Sequence, residues 1–152
     1  KMVVLLLKRR IFMIEIYAGE KGKGKTKHLL KRVSDDLAKS QGCIIYIDKN
    51  NQHMYELDSH VRLIDMSEYE MESTDEFLGF ISGMISQNND IERIFLDSFL
   101  DIGFLDTHEG LMSVMDKLEE IADKFDTDFI VSISMNQSDL PDSLKPKVTM
   151  SL

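Results

Sequence analysis

Between residues 19 and 26 the chain reads GEKGKGKT, in which Gly19 is followed after four residues by Gly24, Lys25 and Thr26. Glycine reaches positive φ without a Cβ clash, so such a loop turns successive N–H groups inward as a cradle for phosphate oxygens. Residues Gly19, Glu20, Lys21, Gly22, Lys23, Gly24, Lys25 and Thr26 are therefore the candidate nucleotide-binding set. Lys25 would reach the terminal phosphates as a point charge, and the Thr26 hydroxyl would ligate Mg²⁺, a hard cation that prefers oxygen. Lys21, Lys23, Lys25, Lys27, Lys31 and Arg32 crowd around this loop, while the chain carries 27 acidic against 18 basic residues and a net charge of −9. A basic cluster in an acidic protein favours a compact polyanion, a nucleoside triphosphate, and the overall charge argues against strong nucleic-acid binding.

Two acids close apolar runs and complete the candidate chemistry. Asp97 ends IFLD, where it is the second candidate metal residue beside Thr26. Asp48 ends the run CIIYI and is the candidate catalytic carboxylate beside Lys25. Asp101 and Glu109 are lesser candidates for positioning a water. Arg62 and Arg93 are isolated and read as solvated surface charges. His28, His53, His60 and His108 lack metal-ligand spacing and read as surface or helix-end residues. The ten methionines read as core filling.

These residues need elements to hold them. Ile11 to Tyr17 reads as a strand buried on both faces, leading directly into the glycine loop. Leu29, Leu30, Val33 and Leu37 recur at helical spacing, with the glycine of SQG as the stop signal. Cys43 to Ile47 is a second strand, Val61 to Ile64 a weak extra one, and Phe77, Leu78, Ile81, Met84 and Ile85 a helical stripe. Ile94 to Leu96 leads to Asp97. Leu111, Met115, Leu118, Ile121, Ala122 and Phe125 form the next helix, followed by strands at Phe129 to Ile133 and Val148 to Leu152. Strands alternating with helices require right-handed crossovers, so the fold class is α/β, three-layered, with a mostly parallel central sheet. Residues 1–152 read as a single nucleotide-binding domain, with Lys1 to Arg10 as an N-terminal extension or added edge strand and Met13 as an alternative start.

The motifs resemble the phosphate-loop (P-loop) NTPase superfamily, in particular its RecA-like branch. GEKGKGKT looks like Walker A, IFLD like Walker B, and Ser134, Asn136 and Gln137 after FIVSI resemble the polar sensor that ends a fourth strand. The resemblance spans roughly residues 11 to 137. It implies a sheet in the order five, one, four, three, two, with Mg-ATP at the tips of strands one and three. Many members place a glutamate directly after the Walker B acid, and here that position is Ser98.

Three classes of function follow. The first is a slow or partner-activated ATPase using ATP and Mg²⁺, with a protein partner or homo-oligomer supplying activating residues and the loop Ile102 to Gly110 responding to the γ-phosphate. The second is an ATP-dependent transferase, either a small-molecule kinase with Asp48 as base or an enzyme similar to the corrinoid adenosyltransferases, whose loop GEKGKGKT resembles. The third is a non-catalytic regulatory or interaction module. The chain stops with the last expected strand, so recombinase or helicase activity is not expected. The short apolar run MVVLLL precedes Lys8, Arg9 and Arg10, the wrong charge order for a secretory signal, and no stretch is long enough for membrane insertion. With a single cysteine, Cys43, the expected location is cytoplasmic.

Overall fold

The computed structural model describes residues 13–152. Ile11, Phe12 and the segment Lys1 to Arg10 lie outside the described residues. Six strands, β1 (Ile14–Ala18), β2 (Cys43–Asp48), β3 (Arg62–Asp65), β4 (Ile91–Leu96), β5 (Asp128–Ile133) and β6 (Val148–Ser151), form one sheet in the order β3-β2-β4-β5-β1-β6. Every pairing in it is parallel.

A parallel sheet must be covered on both faces, and the strands are apolar in both directions for that reason. Ile14, Ile16, Ile94, Leu96, Phe129 and Val131 face one core, which is closed by helices α2 (Thr74–Ser86) and α4 (His108–Phe125) through Phe77, Ile81, Leu111, Met115 and Leu118. Tyr17, Tyr46, Phe95 and Ile130 face the other, which is closed by α1 (Lys25–Leu37) through Leu29 and Val33. Those two α1 side chains are at most 2% exposed, and burial of each stabilises the layer by about 1.5–3 kcal/mol. A single turn, α3 (Phe99–Ile102), follows β4. The fold is thus α/β with an all-parallel six-stranded sheet flanked by helices.

Capping explains where the helices begin. Ser73 accepts a hydrogen bond from the Glu76 N–H at the start of α2, and Thr107 does the same for the Gly110 N–H at the start of α4, each satisfying an orphan donor of the first turn. Both helices therefore start a few residues before the apolar stripe that announces them. The glycine of SQG is not the stop of α1, which ends at Leu37 with Ala38 as its cap. Gly42 is required for another reason: a Cβ there would lie 2.4 Å from the carbonyl oxygen of Asp90, where Cys43 N–H donates to the same oxygen at 2.7 Å. The weak extra strand is real but begins one residue late, at Arg62, which registers against Ile45.

Two arginines depart from the sequence reading. Arg93 is not a free surface charge, since its guanidinium meets Asp36 at 2.7 Å and Asp128 at 3.6 Å. Arg32 turns away from the glycine loop, gripping Glu15 through both terminal nitrogens and Asp36 through Nε. The basic cluster at the loop is therefore made by lysines. Among the described residues no helix is long and apolar enough to cross a membrane.

Candidate functional site

The segment 19–26 links the end of β1 to the start of α1 at the carboxyl edge of the sheet, where open α/β folds gather their ligands. Gly19 is buried, and a Cβ on it would come within 3.1 Å of Leu152 Cβ. Gly22 and Gly24 have φ of 86° and 90°, and no atom lies within 4 Å of where their Cβ atoms would be. The loop thus uses glycine first for close approach and then for left-handed backbone around open space. Gly24 is the N-cap of α1 and has no side-chain capping bond, and the first turn contains no acidic residue. Lys25 and Lys27 occupy that turn instead, against the helix dipole. The orphan N–H groups and the positive charge are together suited in chemistry to an anion.

Lys25 is only 7% exposed. Its ammonium donates to the carbonyl oxygens of Gly19 at 2.7 Å and Glu20 at 3.0 Å. Burial pulls its pKa below the ordinary lysine value, partly opposed by the negative charge of Asp97. The Glu20 side chain accepts from Asn136 Nδ2 at 2.9 Å, while Lys23 projects into solvent.

Asp97 follows the last residue of β4 and is 3% exposed. Its Oδ2 accepts from the Thr26 hydroxyl at 2.8 Å and the Tyr46 hydroxyl at 2.7 Å. Its Oδ1 accepts from the Ser132 hydroxyl at 2.7 Å and the Ser98 N–H at 2.9 Å. Ser98 itself adopts a left-handed conformation, φ 55°, a costly choice for a residue with a Cβ and one that clusters at functional sites. Asp48, the last residue of β2, is 4% exposed. Burial first, and the charge of Asp97 second, raise its pKa above the usual carboxylate value, against a lowering hydrogen bond from the Lys49 N–H. The Ser98 hydroxyl lies 3.5 Å from Asp48 Oδ1.

These groups line one cavity of about 500 Å³, which brings together Lys21, Gly22, Gly24, Lys25, Thr26, Asp48 and Asp97. Gly19, Glu20 and Lys23 are not on its wall; Gly19 and Glu20 contribute backbone carbonyls to Lys25. Of the lesser candidates Asp101 reaches the wall, paired with Lys49 at 3.6 Å, whereas Glu109 lies exposed in the first turn of α4 and does not. Ser134 lines the cavity and Gln137 starts a short 3₁₀ turn. His53, expected as a surface or helix-end residue, is on the cavity wall, with its Nδ1 against Glu56.

Sequence reasoning missed Tyr46 and Ser132, because both sit inside apolar strand runs and read as core. The signal was their polarity: a hydroxyl in a strand buried on both faces must find a partner.

The donor set suits a hard cation, with a hydroxyl and a carboxylate 2.8 Å apart and no soft ligand beside them. Among the described residues no group of three or more His, Cys, Asp or Glu converges on a point; Mg²⁺ held by one or two protein oxygens plus phosphates needs no such cage. No protein-family model matches the chain, and comparison with curated proteins finds no relative.

Proposed function

We propose that the chain binds a nucleoside triphosphate as its Mg²⁺ complex, ATP in the first instance, and belongs to the phosphate-loop NTPases of the RecA-like kind. The observation that carries the proposal is the contact of Thr26 with Asp97 at 2.8 Å, at the foot of an uncapped, glycine-built helix N-terminus. Strand order supports it as well. With β3 set aside as an added edge strand, the order β2-β4-β5-β1-β6 has the two motif-bearing strands, β1 and β4, on either side of β5.

In this reading the loop N–H groups and Lys25 hold the phosphates, and Lys25 exchanges its carbonyl contacts for phosphate oxygens. Thr26 and Asp97 hold the metal, which would neutralise charge on the β- and γ-phosphates. Asp48 takes the place of the glutamate absent at Ser98. A carboxylate made more basic by burial and by a like charge is suited to accept a proton from an attacking water, the products being ADP and inorganic phosphate. No arginine is among the residues on the cavity wall, so turnover is slow unless a partner or second copy supplies a cation. The lone, half-buried Cys43 thiol fits a cytoplasmic setting.

The basicity of Asp48 also favours a second reading, transfer of the γ-phosphoryl group to an acceptor hydroxyl. The experiment is equilibrium binding of ATP and GTP with Mg²⁺ to the wild type and to Lys25→Ala, followed by chromatography of the recovered nucleotide. Micromolar binding weakened at least about tenfold by the substitution, ~1.4 kcal/mol, supports the site. Recovered ADP with phosphate, ADP with a phosphorylated acceptor, free triphosphate or unchanged ATP then separates ATPase, kinase, adenosyltransferase and binding module. Absence of binding, or equal binding by the mutant, rejects the proposal.

A further inference from the structure

Asp97 has more partners than a metal-binding acid requires. A carboxylate offers about four lone-pair positions, and four donors fill them, two on each oxygen. Thr26 belongs to the loop and Ser98 is the adjacent residue. The other two donors, Tyr46 and Ser132, come from β2 and β5, the strands flanking β4 on either side. Tyr46 is fully buried and its ring lies near that of Phe95, 6.1 Å between centroids, so its hydroxyl is held in place by the core rather than by solvent. Ser132 is 1% exposed and also accepts from the Ser98 N–H at 2.9 Å.

We infer that Tyr46 and Ser132 are positioning residues for metal binding, which clamp Asp97 so that it acts on Mg²⁺ through the Thr26 hydroxyl instead of by direct coordination. This rests on the nucleotide-binding reading above and adds to it. The Thr26 hydroxyl gives its proton to Asp97, which leaves its oxygen lone pairs for the cation. Asp97 itself has no lone pair to spare without abandoning a buried donor, and an abandoned buried donor is costly. The clamp therefore fixes where the Thr26 lone pairs point.

The test uses the fluorescent analogue mant-ATP with the intact chain, titrating Mg²⁺ at fixed nucleotide and repeating the nucleotide titration in EDTA. Tyr46→Phe and Ser132→Ala each remove one hydroxyl with little change of shape. Tyr17→Phe is the control, since Tyr17 is in the same core cluster but directs its hydroxyl toward Arg32. The Mg²⁺ concentration for half-maximal binding is expected to rise about five- to tenfold in Tyr46→Phe and Ser132→Ala, with affinity in EDTA unchanged and the control like wild type. The inference is overturned if folded Tyr46→Phe or Ser132→Ala titrates like wild type, or if affinity falls equally with and without metal, which is the mark of a purely structural role. Should Tyr46→Phe fail to fold by circular dichroism, Ser132→Ala decides alone. A wild type that binds no mant-ATP, or binds it without regard to Mg²⁺, rejects the functional reading and the inference with it.

Discussion

The Thr26 hydroxyl donates to Asp97 Oδ2 at 2.8 Å across 71 residues of sequence. One partner opens α1 and the other closes β4, so the contact exists only when β5 has inserted between β1 and β4. Thr26→Val keeps the shape and removes the hydroxyl. Affinity for ATP in Mg²⁺ is expected to fall at least about tenfold and affinity in EDTA to stay near wild type, as measured by isothermal titration calorimetry.

Asp48 and Asp97 are both buried and repel one another. In Asp97→Asn that repulsion is gone, so the Asp48 pKa is expected to fall toward the ordinary value while remaining raised by burial, the larger cause. Carbon-13 NMR titration of the Asp48 carboxyl reads this directly; an unchanged or higher value would mean that the two carboxylates do not communicate.

Because its folded pKa is raised above the ordinary carboxylate value of 3.8, Asp48 binds its proton more tightly in the folded chain than in the unfolded one. The stabilisation from that proton is complete below the unfolded value and is lost as pH rises through the folded value. At pH 7 the buried charge is a penalty. Asp48→Asn is expected to raise the urea midpoint at pH 7, with the advantage over wild type shrinking as pH is lowered toward 3.8.

Arg32 ties β1 to its own helix through Glu15 and Asp36, and Arg93 joins the cluster at Asp36. Its side chain is 26% exposed, and removing one partner of a partly buried network leaves carboxylates uncompensated. Arg32→Ala is expected to lower the unfolding free energy by about 2–3 kcal/mol. Arg32→Lys recovers only part of this, since an ammonium cannot reproduce the forked contact. Urea unfolding at neutral pH checks both.

Gly42→Ala forces a Cβ to within 2.4 Å of the Asp90 carbonyl and 2.7 Å of Glu92 Cγ. The Glu92 side chain can move and the backbone carbonyl cannot. A loss of about 1–3 kcal/mol is expected from overpacking, seen as a lower thermal midpoint. Nucleotide affinity should be retained, because the strain lies at the opposite end of β2 from Asp48.

Much of this arrangement was legible in the residues. A both-faces-buried strand, a glycine–lysine loop and a helical stripe in succession specify β1, the loop and α1, and acids at the ends of apolar runs mark Asp48 and Asp97. What stayed hidden depends on register. The resemblance already implies that CIIYI and FIVSI flank the strand ending at Asp97; that Tyr46 and Ser132 are the residues that reach it depends on register, which nothing within either run encodes. The pairing of Arg93 with Asp36 and Asp128 likewise joins three separate elements. Gly42 misled because glycine ends helices and also permits close backbone approach, and the sequence reads the same in either case.

Strand β1 pairs Ile14 with Phe129 on one side and Ile16 with Val148 on the other. Its partners are thus made long after it leaves the ribosome. Such non-local pairing closes slowly, and the first motif to be synthesised is among the last regions to be framed. Until β5 has been made, the glycine loop has no neighbouring strand on that side to hold it. Capture of nucleotide would accordingly mark completed folding, and ligand present during refolding would pull the final strands into place by mass action.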